Sequence, residues 1–188
     1  SGLAAVRATA WFYIWVVRGT PQLLQLVFLF DALPELGIKL DPITTAIIGF
    51  ALNEAAFSAE IIRGGILSVD VGQSEAAKSI GMTGLTTLRR IVLPQAMRVI
   101  IPPVGNEVIS MVKLTSVASV IQYSEILRNA QTIYYANARV MELLIVAAIW
   151  YLVVVTVLSI GQYFLERYYS KGHRRARPMV TAAEGDAR

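Results

Sequence analysis

The sequence predicts an all-α integral membrane protein, and three observations carry that prediction. First, residues 143–164 contain no Asp, Glu, Lys or Arg. A helix rises about 1.5 Å per residue and the hydrocarbon core of a bilayer is roughly 30 Å thick, so this segment is long enough to cross it. Second, the chain is 55% hydrophobic with mean hydropathy +0.56. That fraction alone is ordinary for soluble domains, but here the apolar residues are gathered into long runs. Third, the Lys and Arg residues fall very unevenly on alternate sides of those runs, as they do in multi-spanning proteins.

Four membrane-crossing segments are expected. The first, 8–33, is irregular, because Arg18-Gly19-Thr20-Pro21 interrupts it. Pro21 implies a bend or a fresh helix start, and neither side of the break is long enough to cross comfortably alone. The second, 43–66, follows a turn-rich stretch with Pro34, Gly37 and Pro42. The third, 91–112, holds Pro94, Pro102 and Pro103. The fourth is 141–165. Between the second and third lies a polar stretch, 68–90, that reads as two short helices. Asp70 followed by Gln73 resembles a capping box, Gly81 can close the first helix in a left-handed conformation, and Thr83 can cap the second.

Of the 17 Lys and Arg residues, all but Lys39, Lys113, Arg128 and Arg139 fall on one side of this arrangement, Arg18 and the tail from Lys171 among them. That side is the cytoplasm by the positive-inside rule. The helix pair at 68–90 and the C-terminus therefore face inward, and the loop with Asp31, Glu35 and Asp41 faces outward. Residues 1–178 form the membrane domain, and 179–188 are expected to be a disordered cytoplasmic tail. The basic tail follows a span directly, so its expected contact is the anionic inner leaflet and not nucleic acid.

Several polar groups lie at membrane depth, where they are costly unless they meet a partner or a water-filled path. Asn53, Glu54 and Glu60 are on the second segment. On the third, Asn106, Ser110 and Lys113 are spaced to share one face, with Glu107 beside them. They are candidates for a substrate path, and interhelical hydrogen bonding is the competing role. Pro102-Pro103 followed by Gly105 can break the helix to line a cavity, or merely kink it.

The polar stretch carries the most specific pattern: Glu75-Ala76-Ala77-Lys78-Ser79-Ile80-Gly81, nine residues, then Ile91-Val92-Leu93-Pro94. It resembles the "EAA" signature of the permease subunits of ATP-binding-cassette (ABC) importers. Arg18-Gly19-Thr20-Pro21, Glu60-Ile61-Ile62-Arg63-Gly64-Gly65-Ile66, Leu93-Pro94-Gln95-Ala96, Gly105-Asn106-Glu107 and Lys113-Leu114-Thr115-Ser116-Val117 look like the polar amino-acid branch of that family. The resemblance implies a type I importer transmembrane domain with a usual core of five spans, of which the four here fit the last four. The absent first span accords with a chain that begins at Ser1 and reads as a piece of a longer protein.

It further implies that Glu75, Ala76, Ala77, Lys78, Gly81, Ile91, Leu93 and Pro94 form an ATPase-coupling loop. The implied partners are an ABC ATPase subunit, a second permease subunit and an extracytoplasmic amino-acid-binding protein, in the inner membrane. ATP and Mg would belong to the ATPase, since this chain has no Gly-x-x-x-x-Gly-Lys-Ser/Thr loop and is itself expected to bind no cofactor or metal. Amino acids are the implied cargo, with another small polar solute such as an opine as the alternative. An intramembrane enzyme fits poorly: there is no Cys, the single histidine, His173, lies in the tail, and the spans hold no pair of Asp for an aspartic-type dyad. A secondary transporter would have no need of the coupling signature.

Overall fold

The structure, a computed structural model, describes residues 2–170; the basic tail from Lys171 onward, and with it the expected disorder of 179–188, lies outside the described residues. The described residues form eight α-helices: α1 Gly2–Gly19, α2 Gln22–Val27, α3 Pro42–Leu67, α4 Val71–Ser79, α5 Gly84–Thr87, α6 Leu93–Leu114, α7 Ile126–Asn137 and α8 Val140–Ser170. The expected first span is α1 and α2, broken at Thr20-Pro21. At 18 residues α1 is longer than the sequence suggested for either side of the break. Gln25 staples the break: its side-chain amide donates to the carbonyls of Val17 (2.8 Å) and Thr20 (3.1 Å), two groups left without a helical partner.

Two helices, Pro42–Leu67 and Val140–Tyr169, are long and apolar enough to cross a membrane. Of the two, α8 is the more exposed. Only 6% of the apolar window of α8 is buried, and Leu144, Ile149, Leu152, Val153 and Val157 are all exposed on it. At about 1.5–3 kcal/mol per large apolar side chain, no soluble protein of ordinary stability could leave this helix in water. Polar α6 is handled differently. It lies between α3 and α8, packed on both, and buries Ala96, Ile100 and Ile101.

Close approach on those two contacts depends on glycine. A Cβ at Gly65 of α3 would collide with the Ile100 side chain of α6, and one at Gly105 of α6 with the Gln162 side chain of α8. The Gln162 amide donates to the Pro102 carbonyl (2.9 Å) and to Glu166 (2.7 Å). The helix runs unbroken through Pro102 and Pro103, so of the two readings left open, a cavity-lining break or a kink, the break is absent; the Pro-Pro-x-Gly stretch is a seat for α8.

Prolines act elsewhere. Two π turns, Phe28–Ala32 and Leu88–Val92, each end at a Leu-Pro pair, Leu33-Pro34 and Leu93-Pro94. In both, the leucine N–H reaches back five residues, to Phe28 and to Leu88. Proline has no N–H and its ring crowds the carbonyl four residues earlier, so the preceding turn widens.

After α6 the chain re-enters the bundle. Ala118 and Ile121 pack with Leu26 and Ala46 into the buried core, beside Phe30 and Phe50. The following helix, α7, was not expected from the sequence. Glu125 caps it, accepting from the N–H groups of Leu127 (2.7 Å) and Arg128 (2.6 Å), and also from the Tyr151 hydroxyl of α8 (2.8 Å).

Candidate functional site

The first candidate region is the helix pair. Asp70 starts α4 by accepting from the Gly72 N–H (2.7 Å). The reciprocal half of a capping box is missing: the Gln73 side chain turns instead to the amide of Gln95 (3.5 Å), linking α4 to the start of α6. Gly81 closes α4 at φ +83°, and Thr83 caps α5 through the Thr86 N–H (3.4 Å). The expected second short helix is not separate. Residues 84–114 are helical throughout, α5 passing through the π turn into α6. Glu75, Ala76, Lys78 and Gly81 are exposed, and Ala77 is buried against the rest of the pair. Ile91 and Leu93 are half-buried, and Pro94 is exposed at the junction. The result is a small projecting knob on a rigid stem, and the stem is α6.

The second region lies within the span. Arg18, counted with the basic residues of the cytoplasmic side, lies against α3. Its guanidinium lies over the Phe57 ring, 5.0 Å from the centroid. Phe57 is about 22 Å along α3 from Pro42, and Arg18 beside it is exposed. It is within electrostatic reach of both Glu60 and Glu107. Glu107, half-buried, is also within reach of Glu54. Glu60 is held in a two-bond ion pair by Arg63 (2.7 and 3.0 Å), and Glu54 accepts from Ser58 (2.9 Å). Groups from α1, α3 and α6 thus lie within electrostatic reach of one another as a charge cluster. A cleft of about 940 Å³ between α1 and α3 opens beside it, lined by Arg18, Glu60 and Arg63 together with Trp11 and Trp15.

The other candidates divide. Asn53 is buried, and its amide donates to Gln25 (3.4 Å), so it serves the α2–α3 contact. Asn106, Ser110 and Lys113 are exposed on α6, on a face that neither α3 nor α8 covers. Sequence reading missed the contact of Arg18 with Phe57, although the Gly19-Thr20-Pro21 break beside Arg18 was the available signal. Gln25 and Glu125 were also missed; each joins local backbone groups to a distant partner, Asn53 and Tyr151.

Residues 4–171 match the family described as the binding-protein-dependent transport system inner membrane component. The chain belongs to this family. It is 44% identical over 99% of its length to the arginine transport system permease protein ArgU of Corynebacterium glutamicum, and spans 64% of that protein. It is 44% identical to the L-cystine transport system permease protein TcyB of Bacillus subtilis, over 88% of this chain and 72% of that one. Among solved structures, that of an amino acid ABC transporter with histidines superposes with a TM-score of 0.84 at 38% identity, covering 89% of this chain and 78% of the other. The fold is therefore that of a type I importer transmembrane domain, and the chain is a membrane component.

Proposed function

We propose that this chain is the permease subunit of an ATP-driven importer that moves amino acids inward by alternating access. The observation that carries the reading is the continuous helix of residues 84–114, which joins the Glu75–Pro94 signature to the polar span without a flexible link. A partner ATPase that grips the knob at Glu75, Ala76, Lys78 and Gly81 moves α6 with it. Ala77, Ile91, Leu93 and Pro94 hold the knob in its shape. The energy source, ATP with Mg, resides in that ATPase. The knob and the C-terminus face the cytoplasm of an inner membrane, in keeping with the bias of basic residues.

The uncovered face with Asn106, Ser110 and Lys113 is directed at a path shared with a second permease, and an extracytoplasmic binding protein supplies the cargo. Arginine and cystine, named for the two relatives, have different side chains and share the α-ammonium and α-carboxylate. The charge cluster suits those shared groups: Glu54 and Glu107 for the ammonium, Arg18 for the carboxylate. Glu60, tied to Arg63, and Asn53, tied to Gln25, set the position of the cluster.

Reconstitution in proteoliposomes with the ATPase and binding protein tests this. ATP-dependent uptake of labelled arginine or cystine is expected. It should be lost in Glu75→Lys and Gly81→Val, the latter because a branched side chain at positive φ costs about 1–2 kcal/mol. Uptake that proceeds without ATP, or is indifferent to both substitutions, would sink the reading in favour of a secondary transporter.

A further inference from the structure

Beyond the 3-10 turn Thr115–Ser119 the chain is irregular from Val120 to Glu125, where α7 begins. The depth of this stretch follows from α8. Glu125 accepts from the Tyr151 hydroxyl (2.8 Å), and Tyr151 is eight residues from Leu143, where the uncharged run begins. Eight helical residues measure about 12 Å, so Glu125 and the turn before it stand inside the apolar layer and not at its edge. Irregular backbone at such depth is tolerated only where protein covers it or where it lines water. One side is covered: Ile121 is buried with Leu26 and Ala46, and Tyr123 packs against them. The alternate residues Val120, Gln122 and Ser124 are exposed.

Gln122 stands apart from its neighbours. Its φ is +62°, a left-handed conformation that a Cβ makes unfavourable and that glycine adopts freely. The turn itself needs only backbone here, the Gln122 N–H donating to the Ser119 carbonyl (3.1 Å). Among the described residues the side-chain amide has no hydrogen-bond partner. A polar side chain is thus held at membrane depth, on strained backbone, with nothing in the chain to bond. Strain of this kind gathers at ligand contacts and switches.

We propose that residues 120–125 line the cargo path beyond the end of α6, and that the Gln122 amide is a contact for a passing amino acid. An amide donates to a carboxylate and accepts from an ammonium, so it suits the two groups that all such cargo shares. It continues the polar face of Asn106, Ser110 and Lys113 towards the side away from the knob. The proposal rests on the permease reading and adds to it a residue that touches cargo.

The test uses the full-length protein assembled with its partners in proteoliposomes. This chain has no Cys, so Gln122→Cys gives it a single thiol. A water-soluble maleimide is expected to react there, and saturating cargo to slow the reaction. Failure to react, with or without ATP, would overturn the proposal and place the stretch against the second permease. Reaction that cargo leaves unchanged would overturn the contact. Gln122→Gly should raise the unfolding temperature, because the strain is relieved, and yet lower ATP-driven uptake about fivefold, the effect of one neutral hydrogen bond. A residue that serves the fold alone would not move stability and transport in opposite directions. Gln122→Asn keeps an amide and tolerates the left-handed backbone, so it should retain more uptake than Gln122→Gly. Equal uptake by the native protein and both variants would also overturn the proposal. Absence of ATP-dependent uptake in the native protein would instead sink the permease reading, and the maleimide would still report whether this stretch meets water.

Discussion

Gly105 carries no side chain because the place where one would stand is already filled by Gln162. Gly105→Val is therefore expected to lower stability by about 1–3 kcal/mol, the usual range for overpacking. Combining it with Gln162→Ala should recover part of that loss, which a double-mutant cycle of thermal unfolding in detergent would measure. At the outer end of α3, the Thr44 hydrogen bonds hold the Asp41 carboxyl below its ordinary value, against a smaller opposing effect of desolvation. A carboxylate lowered in the folded state contributes stability above its unfolded pKa, about 3.9. That contribution fades as pH falls through the lower native value. Unfolding temperature should thus drop more steeply below about pH 4 in the native protein than in Asp41→Asn. Residues whose partners are close in sequence were legible from the outset: Gly81 and Thr83 do what their positions in a turn demand. Arg18, Glu125 and Gln162 were not, since their partners Phe57, Tyr151 and Pro102 become neighbours only once helices pack.

Among the elements, the two Leu-Pro pairs show how one missing N–H shapes a helix. At Leu88–Val92 the widened turn lies between knob and stem, so it fixes the angle at which the knob leaves α6. Pro94→Ala restores the donor and allows the turn to relax to α-helical form. Each residue of a helix turns it by about 100°, so the change swings the knob well out of place. ATP-driven uptake in proteoliposomes is expected to fall about tenfold, equivalent to about 1.4 kcal/mol, while the chain still folds, as a detergent size-exclusion profile would show. A sequence reader sees Pro94 and predicts a disturbance but not its kind, because a kink, a break and a π turn all begin with the same lost hydrogen bond. The same ambiguity left a break and a kink both open at Pro102-Pro103, where the helix runs unbroken and Gln162 donates to the Pro102 carbonyl. For α7 the difficulty was different: its apolar and polar residues are mixed, and its start depends on Glu125 reaching two N–H groups.

Over the whole molecule, the four expected crossings correspond to α1–α2, α3, α6 and α8, because runs of apolar residues report solvent directly. What they could not report is which face of each helix meets lipid and which meets protein. The uncovered face of α6 is the clearest case. Ser110→Cys is expected to react with a water-soluble thiol reagent in the assembled transporter, at a rate that changes when ATP is added, whereas a lipid-facing cysteine would react slowly in both states. The polarity of α6 also bears on how the protein is made. With three prolines, Asn106, Glu107 and Lys113, this helix lacks the apolar character that lets α3 and α8 enter lipid unaided. During synthesis it emerges before α8, the neighbour that covers it. A nascent chain halted soon after α6 should remain at the insertion machinery and be stripped from membranes by alkali, and should become resistant only when α8 has followed.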